Sequence, residues 1–120
     1  MLDALGGLLS PLLATLERVG WVQRHLYPPL APRLAEDLVP CAEAIAGPLR
    51  AVEALACRDD LRFLRNPLVE AARQTLDLIA IFVEAAQPPG DPMGLYRALR
   101  GFARVQETLY PLAPVFEPLS

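Results

Sequence analysis

Proline and glycine decide where this 120-residue chain can form helices, because thirteen prolines and seven glycines interrupt nearly every long segment. The longest segment without either residue ends at Gln87, and it directly follows Asn66-Pro67. Asn66 can cap a helix, Pro67 fits the first helical position, and Pro88-Pro89-Gly90 stops the helix. The pattern predicts a helix over 66–87, about 30 Å long at 1.5 Å per residue.

This predicted helix is apolar around most of its circumference. Its charged and amide side chains fall within one arc of the helical wheel, which only Ile81 interrupts. The polar residues of this arc are Glu70, Arg73, Gln74, Asp77 and Glu84. Because such a helix can expose only a strip, we expect it to contact neighbours on two or three sides as the central helix of a bundle.

Other prolines follow residues that can cap a helix, and each such pair marks a predicted helix start. Ser10-Pro11 predicts a helix from about Pro11 to Leu26, and Asp91-Pro92 predicts one from Pro92 to Leu109. On the last helix, Leu95, Leu99, Phe102 and Leu109 form the apolar stripe, and Arg97, Arg100, Arg104 and Glu107 form the solvent-facing one.

The segment from Pro32 to Cys57 keeps apolar residues at steps of three or four across Pro40 and Pro48. Because a proline inside a helix costs about 3 kcal/mol, we predict two helical segments that meet near Ala46-Gly47. A short helical piece is expected from Leu61 to Arg65.

These elements together predict an all-α, single-domain bundle of four to five helices over residues 1–120, with proline-rich connections. Residues 1–10 are expected to form a short helix or an apolar arm, and residues 111–120 an extended, proline-rich C-terminal tail. The hydrophobic fraction of 53% and the mean hydropathy of +0.30 are slightly above average for a soluble chain. Either a partner or ligand covers apolar surface, or the core is rich in Leu and Ala.

Charge and cysteine content exclude several classes of function. A net charge of −3, with arginine as every basic residue, argues against binding to nucleic acid or to anionic lipid. The uncharged run from Ala4 to Leu16 is too short and too interrupted for a transmembrane helix, and no basic residue precedes it as in a signal peptide. Two cysteines, Cys41 and Cys57, make no disulfide scaffold, so we expect a reduced, cytoplasmic protein.

Catalytic and metal-binding patterns are missing from the sequence. His25, the single histidine, lies on the polar side of the first helix and has no paired nucleophile. A metal site would need His25, Cys41, Cys57 and Asp59, whose spacing matches no known ligand pattern. No phosphate loop, dinucleotide fingerprint or G-x-S-x-G motif occurs. We therefore predict a non-catalytic protein without a cofactor or a metal.

The segment from Val22 to Pro28 is echoed by the segment from Val105 to Pro111. Each copy carries a glutamine among apolar residues and a tyrosine before its last proline. Because a buried amide needs a hydrogen-bond partner, these side chains either satisfy the ends of their helices or serve as polar contacts in an apolar pocket. The residues concerned are Gln23, Tyr27, Gln106 and Tyr110.

Apolar surface on a small helical bundle favours an interaction module that forms a homodimer or docks on a protein partner. Trp21 is the predicted centre of this interface, surrounded by Arg18, Arg24 and His25, because Trp and Arg dominate interface energetics. The alternative for Trp21 is a structural role at the edge of the core.

Two other functions are compatible with the sequence. One is a binding protein for a small apolar ligand held between helices that prolines keep apart. Its pocket candidates are Gln23, Tyr27, Leu76, Ile79, Phe82, Phe102, Gln106 and Tyr110. The other is an accessory domain of a longer protein.

Overall fold

The computed structural model describes residues 2–24, 31–55, 61–87 and 90–112. They form four helices, namely α1 (Leu2–Arg24), α2 (Ala31–Ala54), α3 (Arg62–Ala86) and α4 (Pro92–Leu109). No strand occurs in these four ranges. The prediction of an all-α helical bundle is confirmed. Most of the predicted proline-rich connections, and the tail from residue 113 onward, lie outside the described residues.

Helix α1 begins before the position predicted from Ser10-Pro11, so residues 2–10 are part of this helix and not a separate arm. The helix continues through Pro11, although a proline inside a helix costs about 3 kcal/mol. Leu5 and Leu8 on one side of Pro11 and Leu12 on the other are completely buried. Since each buried leucine contributes about 1.5–3 kcal/mol, core burial outweighs the cost of the proline.

Helix α2 is also continuous where two segments were predicted. It passes through Pro40 and Pro48 without ending near Ala46-Gly47. Leu38, Ile45 and Val52 recur every seven residues and are completely buried. This burial explains why the helix tolerates both prolines.

Helix α3 begins at Arg62, so the short helical piece predicted from Leu61 to Arg65 is continuous with it. Asn66 therefore does not cap the helix, and its Oδ1 instead accepts a hydrogen bond from Arg65 Nη1 at 3.3 Å. The residue at the N-cap position is Leu61, which has no side-chain oxygen to cap with. The predicted end holds, because the C-cap residue is Gln87.

Helix α4 has the predicted bounds, and a tight turn leads into it. Gly90 adopts a φ of 85°, a left-handed conformation that favours glycine. Its amide donates to the carbonyl of Gln87 at 2.7 Å, and the amide of Asp91 donates to the carbonyl of Ala85 at 2.8 Å. The carbonyl of Asp91 then accepts from Leu95 at 3.0 Å, which starts the helix. These bonds fix the position of α4 against α3.

One hydrophobic core joins all four helices. Helix α3 packs against α1, α2 and α4, which confirms its predicted central position. The largest fully buried side chains of the core are Phe82 on α3 and Phe102 on α4. The buried hydroxyls of Thr15 and Thr75 each donate to the carbonyl four residues earlier, at 2.8 and 2.7 Å, so neither is left without a partner.

Within the part of the chain that the structure describes, no helix combines the length and the apolar content needed to cross a membrane.

Candidate interaction surface

The predicted interface around Trp21 is described only at Arg18. The Arg18 guanidinium lies 3.3 Å from the carboxylate of Asp37 on α2, and both side chains are about half exposed. An exposed ion pair of this kind contributes less than about 1 kcal/mol to stability. Trp21 and Arg24 belong to α1, but their side chains, and all of His25, lie outside the described residues. The interface around Trp21 stays a prediction.

The apolar pocket candidates on α3 and α4 lie in the core. Ile79, Phe82 and Phe102 are buried, and Leu76 packs partly buried against them. Side chains in a protein core are close-packed and in contact with each other. These residues therefore contribute to core packing, and their assignment to a ligand pocket stays a prediction.

The polar pocket candidates are described for the second sequence copy only. The amide of Gln106, which is half-buried, donates a hydrogen bond to the hydroxyl of the exposed Tyr110. This bond joins the two side chains to each other at the end of α4, so it favours neither of the two predicted roles. The side chains of Gln23 and Tyr27 lie outside the described residues, so the pocket prediction stays untested.

The outer side of α4 carries a group of exposed basic and apolar side chains, which we call the arginine face. It consists of Met93, Tyr96, Arg97, Arg100 and Arg104. Steps of three and four residues place these side chains on one side of the helix. Met93 is 62% exposed and Tyr96 56% exposed. The Arg100 guanidinium lies 5.8 Å from the centroid of the Tyr96 ring, within cation–π range.

Two of these arginines have no partner within the described residues. The ion pairs found there join Arg18 to Asp37 and Arg73 to Glu53, and neither involves α4. Arg97 and Arg104 therefore present guanidinium groups whose donors are free to bind a carboxylate outside the chain.

The neighbouring helix α3 carries a row of exposed carboxylates. Glu70, Asp77 and Glu84 are exposed at intervals of seven residues, and we call these three residues the acidic stripe. Ile81 lies among them and is 45% exposed. The basic residue of the same arc, Arg73, is bound to Glu53 on α2, with an N–O distance of 3.1 Å. The stripe thus keeps a net negative charge.

Two glycines hold the arginine face and the acidic stripe close together. A Cβ atom on Gly94 would lie 2.9 Å from the Cβ of Ala85, and one on Gly101 would overlap the Cδ2 methyl of Leu78. Any larger residue at these positions requires neighbouring atoms to move. The same contacts fix the register of the two helices, with Ala85 level with Gly94 and Leu78 level with Gly101.

An open groove lies at the end of this surface where α3 meets α4. Its volume is about 540 Å³, and its lining residues are Ile81, Glu84, Ala85, Gln87, Gly90, Asp91 and Gly94. Pockets for small ligands are usually enclosed and mainly apolar. Because this lining holds two carboxylates and a single large apolar side chain, the groove better suits a side chain of a docking protein.

The described residues contain no group of three or more His, Cys, Asp or Glu side chains positioned to hold a metal ion. Comparisons with protein-family models, with characterised proteins and with solved structures find no match for this chain.

Sequence reasoning identified the solvent-facing arginines of α4 and the polar arc of α3 but not their relation. It did not select Met93 or Tyr96, which share the exposed side of α4 with the arginines. The available signal was the repetition of like charges at seven-residue intervals, with opposite sign in the two helices. This signal gains meaning only when the helices are known to lie side by side.

Proposed function

We propose that this chain is a non-catalytic helical interaction module that binds a protein partner through the arginine face and the adjoining acidic stripe. The observation that carries the proposal is the combination, on one exposed helix face, of Tyr96, Met93 and arginines that have no ion-pair partner among the described residues. Tyr, Met and Arg are enriched at protein interfaces, and Tyr and Arg are also enriched among hot-spot residues.

The arrangement is suited to binding because part of it is already ordered. Arg100 lies over the ring of Tyr96, and a cation–π contact at an exposed site is worth about 0.5–1 kcal/mol. Ordering these side chains before binding lowers the entropy lost on association. The close packing of Gly94 and Gly101 against α3 holds the backbone beneath them.

The groove at the end of this surface is compatible with a docking role. Its carboxylates, Glu84 and Asp91, are both exposed and can accept hydrogen bonds from a side chain of the partner. A docking surface requires only complementary shape and charge.

The proposal is tested by placing a photo-crosslinking amino acid at position 96 in cells that naturally make the protein. The matched control carries the same amino acid at Val39, an apolar residue of α2 that is 47% exposed. We expect a crosslinked species from position 96 that is weak or missing from position 39, and its mass distinguishes a second copy from another protein. Equal yields at the two positions, or none at either, would refute the proposal.

A further inference from the structure

We infer that the partner of this surface is a second copy of the same chain, with the acidic stripe of each copy laid on the arginine face of the other. This inference rests on the proposed function. The two charged regions lie side by side on adjacent antiparallel helices, and together they are self-complementary. A two-fold axis parallel to α3 and α4 brings both pairs of regions together at once, as in an isologous dimer.

The register of the two helices agrees with this symmetry. A rotation about an axis parallel to the helices leaves every residue at its own level. Because Ala85 is level with Gly94 and Leu78 with Gly101, a residue of α3 faces the residue of the partner's α4 that lies at the same level. Glu84 then lies about two residues, roughly 3 Å along the axis, from the partner's Arg97.

The second acidic position fits the same register. Asp77 precedes Leu78 and Phe102 follows Gly101. Because the two helices are antiparallel, Asp77 is therefore level with Phe102. The exposed arginines on either side of that level are Arg100 and Arg104. Asp77 therefore faces two guanidinium groups of the partner, each within reach of a long arginine side chain. Asp77 and Glu84 therefore meet arginines without any shift along the helices, whereas Glu70 is level with Leu109 and meets no arginine.

Charge balance favours a second copy over an unrelated acidic protein. In this register two carboxylates of the acidic stripe, Asp77 and Glu84, meet the three guanidinium groups of the arginine face. An acidic protein wide enough to cover α4 would also meet the acidic stripe on α3 and be repelled, since like charges facing each other are unfavourable. A second copy presents both charges in the complementary order.

The size of the surface sets the expected affinity. Helix α4 has 18 residues, so the paired face measures roughly 27 Å by 20 Å with two helices side by side. This is smaller than the roughly 800 Å² per partner of a standard stable interface. The exposed Ile81 adds apolar contact near its middle, and the exposed Met93 adds apolar contact at one end. We expect a reversible dimer with a dissociation constant in the micromolar range.

The test reverses the charges on one region at a time. Arg97→Glu with Arg104→Glu makes both helices acidic, and Asp77→Arg with Glu84→Arg makes both basic. Each double variant is expected to dimerise at least tenfold more weakly than the wild type in sedimentation velocity at ~0.1 M salt. An equimolar mixture of the two variants restores the dimer, because both contacts in the mixed dimer are again between opposite charges.

Controls separate this dimer from general effects of charge. All four side chains are exposed, and circular dichroism checks that each variant keeps the helical fold. Glu43→Arg with Arg50→Glu reverses two exposed charges on α2 instead, and it should leave the wild-type dimer unchanged.

Several results would overturn the inference. The inference is wrong if the wild type stays monomeric at ~100 μM. It is also wrong if a mixture of the two variants fails to dimerise. Variants that associate as strongly as the wild type place the dimer contact on another surface. If position 96 crosslinks to a different protein while the wild type is monomeric, the proposed function stands and the second copy is rejected.

Discussion

Replacing Gly7 or Gly47 by alanine measures whether α1 and α2 are continuous helices at these positions. Both glycines are exposed within a helix. A Cβ atom added to either would meet no atom within 4 Å. Alanine therefore gains helix propensity without a steric cost, and glycine is about 1 kcal/mol less favourable than alanine inside a helix. We expect each substitution to raise the free energy of unfolding by about 0.5–1 kcal/mol.

Urea denaturation followed by circular dichroism measures this change, and thermal unfolding provides a second estimate. For a domain of this size, 1 kcal/mol corresponds to an increase of about 3–6 °C in Tm. Gly101→Ala is the matched control, because the same gain in propensity is opposed by the overlap with Leu78. Its free energy of unfolding should not rise and should fall if Leu78 cannot rotate away.

The alternative structures give different results. If residues 1–10 form an arm that does not fold as a helix, Gly7→Ala leaves the free energy of unfolding unchanged. If α2 breaks near Ala46-Gly47, Gly47→Ala loses the conformational freedom of glycine at the break and fails to stabilise the protein. Either result would refute the reasoning that core burial carries these helices past their prolines.

Three further predictions concern the helices and the core. Pro40→Ala should raise the free energy of unfolding, measured by urea denaturation, by about 1–3 kcal/mol. The substitution restores a helical N–H at an exposed position and removes little packing. A loss of stability would contradict a continuous α2 at this position. Phe82→Ala should lower it by about 3–5 kcal/mol through the cavity left in the core, whereas Ile81→Ala next to it should cost less than about 1 kcal/mol; similar losses would show that Ile81 is also buried. Apolar dyes should not raise the Tm, since Phe82 and Phe102 are packed in the core; a rise that depends on dye concentration would support the ligand pocket instead.

The bounds of α4 and the exposed arc of α3 could be predicted because their signals are local. Asp91-Pro92 and Pro88-Pro89-Gly90 stop or start a helix through the chemistry of those residues alone. Pro11 was wrongly interpreted as a helix start, and Pro40 and Pro48 as a break between two segments, because their compensation is not local. Their local cost is about 3 kcal/mol, but the buried leucines that outweigh it contact residues far away in the sequence. The local sequence shows the cost of a proline inside a helix, but it does not show the core burial that outweighs this cost.

The candidate surface was only partly predictable. The arginines of α4 were expected to face solvent, and they do. Their position beside the acidic stripe depends on the turn at Gly90 and on the close approach at Gly94 and Gly101. The interface predicted from the sequence is centred on one rare residue, Trp21. The surface on α3 and α4 consists instead of common charged residues that recur along each helix.

Native mass spectrometry of protein freshly purified from the cells that make it is a direct test for a bound protein partner, because it detects bound proteins and bound small molecules together. We expect a species heavier than the 13.1 kDa chain by the mass of a second copy or of another protein. Tyr96→Ala with Arg100→Ala should reduce this species strongly. The chain mass alone at every concentration, or a heavier species that the double variant leaves unchanged, would contradict the claim.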